Sequence, residues 1–331
     1  MDKNKAKINQ IAKIIKESKT FFIAGHQKPD GDSIGSALAL ASVLKNLGKK
    51  VTVASGDDIP PFLMFLPGAK DIKKSLPSSA KYDCAIILEC LDFSRMGNLI
   101  TPAQAKKIIN IDHHSMFTDF GTVNFIVPSS ASTAELILSI FEHMKIKLSK
   151  AEAECLYVGI LTDTGRFQQL NTTQNSHIAA AKLMALGVSP DSIKKKVYDT
   201  SSLAAVKFLG LAISLIQTDF NGQFAYIVLT KEMFKKSGVK DGELESLVNW
   251  TVSIEGVKVG ALFKEISKNE TKASFRSVEG VDILSIVQTC GGGGHKNAAG
   301  CTLNSDINTA VQTIKNVFTE KFGDPKFSKI R

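Results

Sequence analysis

The chain has 331 residues, a formal net charge of +9 and 44% hydrophobic residues, a composition typical of a folded globular protein and not of a disordered one. Its length exceeds what one hydrophobic core usually serves, so we expect two domains of unequal size, and no apolar run is long enough to span a bilayer, which argues against membrane attachment. The five cysteines form no Cys-x-x-Cys pair, which argues against a disulfide framework or a thiolate zinc site.

The first half of the chain alternates short apolar runs with helical patterns, which predicts an α/β fold with a parallel sheet and crossover helices. The segment Met1–Ser18 predicts an amphipathic helix and lacks the apolar stretch of a secretion signal, so we expect a cytoplasmic protein. Apolar spacing and turn residues predict further helices at Ser33–Leu47, Ser132–Met144 and Glu152–Leu161. The predicted strands are Thr20–Ala24, Lys50–Ala54, Tyr82–Leu88 and Lys107–Ile111.

The second half of the chain begins after a turn that ends at Pro190. Its sequence pattern predicts a helical connector followed by a smaller α/β domain. A polar helix at Asp191–Tyr198 and an apolar helix at Leu203–Ile216 follow this turn. The predicted domain ranges are 1–190, 191–205 for the connector, and 206–331. The other predicted elements are strands at Gln223–Leu229, Val257–Ile266 and Thr271–Val278, and helices at Glu243–Trp250, Asp282–Thr289 and Ile307–Phe322.

Acidic residues and histidines stand at the ends of the predicted strands. They are His26, Asp30 and Asp32 after the first strand, Glu89 at the end of the third, and Asp112, His113 and His114 at the end of the fourth. Open α/β sheets place ligands at the carboxyl edge of the strands, so these groups are expected to converge, with Asp163 joining them from the end of a helix. Carboxylates and imidazoles suit Mn2+ or Mg2+, and two such ions bridged by one carboxylate are the usual apparatus for attack at phosphorus. The pattern predicts a phosphoesterase.

Each of these residues alone also has a structural explanation. Asp30 and Asp32 could form a turn that caps the helix from Ser33, and His26 or Asp112 could be ordinary loop residues. Because two adjacent histidines stand at the end of another predicted strand, a chance occurrence of the whole set is a poor explanation. The two histidines outside these motifs, His143 and His177, are interpreted as structural.

Arginine is rare in this chain, since only four of the 41 basic residues are Arg. An Arg in such a chain therefore suggests a need for its planar guanidinium group, which can bind phosphate with two hydrogen bonds. Arg95 follows Glu89, Arg166 follows Asp163, and Arg276 lies in a strand-like segment, so each is a candidate phosphate ligand. The alternative for each is a surface ion pair, and the net positive charge says only that polyanions are attracted.

The motifs together resemble the DHH phosphoesterase superfamily, named for an Asp-His-His triplet, and the resemblance covers nearly the whole chain. HQKPDGDSIGS resembles its first motif, LECLDFSRMG its second, IDHH its third and TDTGRF its fourth. GGGGHKNAAG resembles the signature of the DHH-associated C-terminal domain. Length and motif order are most similar to the group of bifunctional oligoribonucleases and 3′-phosphoadenosine-5′-phosphate phosphatases.

The resemblance implies a catalytic N-terminal domain, a substrate-binding C-terminal domain and an active site in the cleft between them. It implies that one ion is held by His26, Asp30 and the second-motif acid. The other ion is then held by Asp32, the same acid, His113 and Asp163.

The resemblance also sets apart two residues of the second and third motifs. The family's second-motif acid is aspartate, whereas this chain has Glu89, one methylene longer. A Glu can bridge two metals if the backbone withdraws slightly, and metal occupancy or activity could then be altered. His114 receives no metal, so it would act on substrate, oriented by Asp112, by holding the phosphate or protonating the leaving oxygen.

The glycine run before His295 is weak evidence for a binding site by itself, because it could be a flexible turn. The resemblance favours a substrate site, since backbone N–H groups without neighbouring Cβ atoms can close on phosphate oxygens. The predicted substrate contacts here are Ser274, Arg276, Gly292, Gly293, Gly294, His295 and Asn297.

The resemblance implies a phosphohydrolase that uses two Mn2+ ions, with Mg2+ as the alternative. Its expected substrates are very short RNA oligonucleotides, cleaved to nucleoside 5′-monophosphates, and 3′-phosphoadenosine 5′-phosphate, which loses its 3′-phosphate. Cyclic or linear dinucleotides such as c-di-AMP and pApA are alternative substrates, followed by pyrophosphate or short polyphosphate. Long duplex nucleic acid and membranes are not expected partners. For the oligomeric state, both a monomer and a homodimer are compatible with the sequence. An alternative of another class is a nucleotide-binding regulator with weakened catalysis, for which Glu89 is the only sequence hint.

Overall fold

The structure of the protein is a computed structural model that describes residues 3–115, 118–199, 201–239 and 247–322. The chain divides into two compact units, Met1–Thr200 and Ser201–Arg331. Among the helices of the described stretches, none combines the length and apolar character needed to cross a membrane.

The first unit contains a five-stranded sheet in which all strands are parallel, in the order β2-β1-β3-β4-β5. Its strands are β1 (Thr20–Ala24), β2 (Lys50–Val53), β3 (Tyr82–Leu88), β4 (Ala105–Asp112) and β5 (Val123–Ile126). The central strands are buried on both faces, as expected of a sheet covered by helices, and this explains their nearly continuous apolar runs. The predicted parallel α/β fold is confirmed.

The described residues of the first unit form six α-helices. They are α1 (Lys3–Glu17), α2 (Gly31–Asn46), α3 (Thr133–His143), α4 (Lys150–Asp163), α5 (Gln174–Ala185) and α6 (Pro190–Val197). Helix α1 buries Ile8, Ile11 and Ile15 on one face, which matches the helical spacing of its apolar residues. Neither α5 nor β5 was predicted, because α5 buries mainly small residues and β5 has only four residues.

Helices α2 and α4 approach closely because glycines lie where they meet. A Cβ added to Gly35 would lie 2.3 Å from the carbonyl oxygen of Cys155, and one added to Gly159 would lie 2.6 Å from Asp32 Oδ1. The approach places Asp32, in the first turn of α2, beside the helix that ends at Asp163. These glycines therefore set the spacing of two helices that carry candidate site residues.

We expect Gly35→Ala to lower the free energy of unfolding by about 1–3 kcal/mol, because the added methyl group would push against the backbone of α4. Urea unfolding followed by circular dichroism measures the change. Gly56→Ala is the control, since a Cβ added at Gly56 would meet no atom within 4 Å. Equal stability of the two variants would contradict this packing.

The second unit contains a six-stranded mixed sheet in the order β10-β11-β9-β8-β7-β6. Its strands are β6 (Gln217–Asp219), β7 (Phe224–Leu229), β8 (Val259–Ser267), β9 (Glu270–Ser277), β10 (Gly293–His295) and β11 (Ala298–Leu303). Strands β7 and β8 pair in parallel, and the other pairs are antiparallel. Its helices are α7 (Leu203–Ser214), α8 (Lys231–Ser237), α9 (Leu247–Val252), α10 (Ile283–Gln288) and α11 (Ile307–Phe322). The predicted helix Glu243–Trp250 begins outside the described residues.

The two helices after Pro190 pack in different cores. Ile193 and Val197 of α6 are buried in the core of the first unit, whereas Ala205 and Phe208 of α7 are buried in the second unit. The predicted connector range, 191–205, is therefore shared between the two units.

The glycine run is the main departure from the sequence prediction in the second unit, because part of it is a strand and not a loop. Gly293, Gly294 and His295 form β10, which pairs antiparallel with β11. Gly294 has φ +140°, and a Cβ added there would lie 2.6 Å from the Cα of Ala299. The close strand approach requires glycine here. Strand β11 was not predicted, because its sequence, AAGCTL, is rich in small residues.

Candidate metal centre

The carboxyl edge of the parallel sheet gathers the acidic and histidine motifs. His26 lies two residues after β1, Glu89 directly follows β3, and Asp112 is the last residue of β4. These strands are neighbours in the order β1-β3-β4, so the side chains at their ends share one edge. Among the described residues, two sets of three candidate ligands lie there, and within each set the ligand atoms are within 4.8 Å of one another. The sets are His26, Asp30 and Glu89, and Asp32, Glu89 and His113.

Glu89 belongs to both sets and has an unusual environment. Its residue is only 4% exposed, and both carboxylate oxygens are buried without a hydrogen-bond partner in the described part of the chain. Burial and the nearby Asp32 and Asp30 raise the pKa of Glu89 well above its ordinary value. A bound cation would stabilise a buried carboxylate that accepts no hydrogen bond. The residues present therefore fit a metal site.

The backbone at Glu89 also supports a functional role. Its φ is +55°, a left-handed conformation that is uncommon for a residue with a side chain, and its N–H donates to Ile111 O at 3.0 Å. Such strained residues cluster at functional sites, where the surrounding structure holds them.

His26 presents one ring nitrogen to the acidic groups. Its Nδ1 lies 2.7 Å from Gln27 O, and because a carbonyl can only accept, Nδ1 donates. Nε2 then faces Asp30 Oδ2 at 3.6 Å and Glu89 Oε2 at 3.4 Å. Burial lowers the pKa of His26, but the hydrogen bond and charge of Asp30 outweigh burial, so the pKa is raised overall. The neutral ring offers Nε2 as a ligand atom toward the two carboxylates.

Asp32 is held by the first turn of helix α3. Its Oδ2 accepts from Thr133 N at 2.6 Å, and its Oδ1 accepts from Ala134 N at 2.9 Å and from Ser36 Oγ at 3.3 Å. Helix N-termini attract negative charge, so α3 stabilises this buried carboxylate and fixes its orientation. The sequence prediction missed this contact, although Ser132 marked the start of α3.

His113 and Asp163 face each other at the same edge. His113 Nε2 lies 3.3 Å from Asp163 Oδ2, while His113 Nδ1 donates to Ser130 O at 3.3 Å. Burial, followed by the charges of Asp32 and Asp30, raises the pKa of Asp163 well above its ordinary value. The structure thus brings Asp163 beside the second ligand set.

Asp112 and His114 form a separate pair. His114 Nδ1 donates to Asp112 Oδ1 at 2.7 Å, and the backbone N–H of His114 donates to the same oxygen at 2.9 Å. Burial would raise the pKa of Asp112, but His114 outweighs it, so the pKa is lowered overall. The His114 and His113 rings lie 4.5 Å apart between centroids. Asp112 therefore sets the orientation of the His114 ring next to the ligand residues.

The two arginines of the first unit lie in different settings. Arg95 is exposed, and its carbonyl accepts from Gln27 N at 2.9 Å, so its segment contacts the loop that carries His26. The guanidinium of Arg166 lies 3.9 Å from the centre of the Tyr198 ring. This stacking gives Arg166 a packing partner that the sequence prediction did not include.

Several of the predicted substrate residues of the second unit lie on one face of its sheet. Arg276 pairs with Ala298, which in turn pairs with His295, so the side chains of Arg276 and His295 point to the same side, one strand apart. Ser274 lies on that side too, two residues before Arg276, and its row continues through Gly300 to Gly293. Burial lowers the pKa of Arg276, whose Nη1 donates to Phe275 O at 2.9 Å.

The side chain of Asn297 holds a turn of the second unit through its amide nitrogen. Its Nδ2 donates to Ser277 Oγ at 3.0 Å, to Val278 O at 2.8 Å and to Val281 O at 3.2 Å. The amide donor is therefore committed to holding the turn after β9. The predicted substrate contact of Asn297 stays a prediction, and of its side-chain amide only the oxygen is left for a ligand.

Comparison with known proteins matches both units. Residues 20–160 match the family model of the DHH family, N-terminal domain, and residues 221–320 match that of the DHHA1 domain. The bifunctional oligoribonuclease and PAP phosphatase NrnA of Thermus thermophilus is 29% identical over 95% of this chain and 94% of that protein. NrnA of Mycoplasma pneumoniae is 30% identical over 93% and 95% of the two chains.

The fold has a counterpart among solved structures. An exopolyphosphatase-related protein from Bacteroides fragilis matches with a TM-score of 0.89 and 29% identity, over 96% of each chain. The motifs, both domain matches and a 30% identical relative that is covered almost end to end agree. The chain belongs to the DHH family.

Proposed function

We propose that this protein is a two-metal phosphohydrolase that degrades very short RNA oligonucleotides to nucleoside 5′-monophosphates and removes the 3′-phosphate of 3′-phosphoadenosine 5′-phosphate. The observation that carries the proposal is Glu89, a buried carboxylate that is shared by two ligand sets and whose oxygens accept no hydrogen bond within the described structure. The names of the two NrnA relatives supply the substrate classes. Mn2+ is the proposed ion, with Mg2+ as the alternative.

Each residue of the site has a proposed part. His26, Asp30 and Glu89 would hold one ion, while Asp32, Glu89, His113 and Asp163 would hold the other. Bound there, the ions would supply Lewis acidity for the attacking water and for the phosphate oxygens. The sharing of Glu89 keeps the two sets adjacent, as a reaction that stabilises both the attacking and the leaving oxygen requires.

Proton transfer would fall to the pair of His114 and Asp112. The short Nδ1–Oδ1 contact of 2.7 Å fixes the tautomer, because Asp112 accepts the proton of Nδ1. Nε2 of His114 is then the atom that would hold the phosphate or protonate the leaving oxygen, with Asp112 stabilising the charged ring.

Substrate binding is proposed for residues 206–331, with catalysis assigned to residues 1–190. In the second unit, Ser274, Arg276 and His295 on one sheet face would bind phosphate or base, together with the backbone of Gly292, Gly293 and Gly294. Arg276 suits this role because its half-buried guanidinium donates to Phe275 O and forms no ion pair with a described carboxylate. Arg95 and Arg166 are proposed as phosphate contacts near the metal ligands. Such substrates suit a cytoplasmic enzyme, and a homodimer is compatible with this scheme.

A comparison of substrates tests the proposal. Purified protein with Mn2+ is given an RNA trinucleotide, 3′-phosphoadenosine 5′-phosphate, pApA, c-di-AMP and pyrophosphate, and a chelator-treated sample is the control. We expect the trinucleotide and 3′-phosphoadenosine 5′-phosphate to be hydrolysed, with c-di-AMP slower. Fastest cleavage of pyrophosphate would overturn the proposal. Tight nucleotide binding without hydrolysis, with turnover restored in Glu89→Asp, would favour the regulator instead.

A further inference from the structure

Asn171 lies in the segment between α4 and α5, and its side-chain amide faces three acceptors. Its Nδ2 donates to Ala131 O at 3.1 Å and to Asp163 O at 3.0 Å, and it lies 3.5 Å from Asp163 Oδ2. All three neighbours are oxygens that accept, so the amide nitrogen, and not the oxygen, must point toward them. The orientation of Asn171 is thereby fixed.

The loop that Asn171 contacts also supports His113. Ser130 O accepts from His113 Nδ1 at 3.3 Å, and Ala131 is the next residue. Glu135 holds this loop, since its Oε2 accepts from Ser130 Oγ at 3.0 Å and from Ala131 N at 3.4 Å. One short loop therefore connects the supports of His113 and Asp163, which come from distant parts of the chain.

Asp163 needs such a support because of its position. It is the last residue of α4, where the carbonyl ends of a helix repel a carboxylate, and its Oδ2 points at His113 Nε2. A neutral donor that bridges the carbonyl and the carboxylate of the same residue limits the rotation of that side chain. Removing the donor would let Asp163 turn away from His113 and from Asp32.

We propose that Asn171 is a positioning residue that holds Asp163 in register with His113, so that both serve the ion assigned to Asp32. This inference rests on the proposed metal centre and names a residue that would touch neither the ions nor the substrate. Residues of this kind behind metal ligands typically contribute a factor of about 10–100 in metal affinity.

Mn2+ binding to the full chain tests the inference without any need for turnover. Free Mn2+ is counted by electron paramagnetic resonance during titration of wild type, Asn171→Ala and Asn171→Asp. We expect Asn171→Ala to weaken one of the two ions about 10–100-fold and leave the other unchanged. Asn171→Asp should weaken the same ion further, because it replaces the donor by a like charge beside Asp163. Asn175→Ala, an exposed asparagine in α5, is the matched control and should bind as wild type does.

The outcomes separate the inference from the proposed function. Wild-type affinity for both ions in Asn171→Ala would overturn the positioning role. Equal weakening of both ions together with a lower melting temperature of the metal-free variant would overturn it too, because it would show a general structural role. If the wild type itself failed to bind two Mn2+ ions, the proposed function would fail, whatever Asn171 does.

Discussion

Replacing Glu89 by Gln should lower Mn2+-dependent hydrolysis at least about 1,000-fold, which corresponds to about 4 kcal/mol of transition-state stabilisation. Glu89 belongs to both ligand sets, so under the proposed assignment the amide would remove a charge shared by two ions. Initial rates on 3′-phosphoadenosine 5′-phosphate at saturating Mn2+ measure the loss. Glu320→Gln, an exposed change on α11, is the matched control.

The same variant should stabilise the metal-free protein at neutral pH. Burial, Asp32 and Asp30 raise the pKa of Glu89 well above 4.5 in the folded state. A carboxyl group with a raised folded pKa contributes stability that is present below its unfolded pKa and is lost as pH rises through the folded pKa. Metal-free wild type should therefore lose stability relative to Glu89→Gln as pH rises above about 4.5, and the two should converge below it.

Urea unfolding in the presence of a chelator, from below pH 4.5 up to pH 8, measures this difference. Hydrolysis within a factor of about ten of wild type would contradict the bridging role of Glu89. Identical pH dependence of stability in the two proteins would contradict the raised pKa.

Asp32→Ala should abolish binding of the ion assigned to Asp32, Glu89, His113 and Asp163, and it should also destabilise the fold. The change leaves the N–H groups of Thr133 and Ala134 without their acceptor inside the protein, and each such group costs about 1–3 kcal/mol. The expected loss in free energy of unfolding is thus about 2–6 kcal/mol. Urea unfolding without metal measures it.

Asp30→Ala separates the two effects. The side chain of Asp30 is 52% exposed, and it caps α2 by accepting from Ser33 N at 2.9 Å. Its removal should weaken binding of the ion assigned to His26, Asp30 and Glu89. It should lower the free energy of unfolding by only about 1 kcal/mol, the usual contribution of a helix cap. Equal destabilisation by Asp30→Ala and Asp32→Ala would show that the contact between Asp32 and α3 does not carry the stability assigned to it.

The sequence predicted the features that depend on order along the chain. Apolar runs that alternate with helical patterns predict a parallel sheet, and the ends of its strands must then meet at one edge. This is why His26, Glu89 and Asp112 could be expected near each other. The family resemblance was needed to divide the ligands into two sets.

Contacts between distant segments could not be predicted in this way. Two of the hydrogen bonds of Asp32 join it to residues about a hundred positions away, and nothing local marks them. Asn171 carries no signal in hydrophobic pattern or motif spacing, because its partners come from another loop and a helix end. The role of Asn297 and the strand formed by Gly293–His295 depend on hairpin geometry, which a run of glycines does not specify.

The number of Mn2+ ions bound per chain, measured by titration together with the rate of 3′-phosphoadenosine 5′-phosphate hydrolysis, tests the two-metal centre most directly. Two ions should bind, electron paramagnetic resonance should show them magnetically coupled, and hydrolysis should rise with the second ion. Glu89→Gln should lose the coupling. Full activity with one bound ion, or two ions with uncoupled spectra in wild type, would contradict a pair bridged by Glu89.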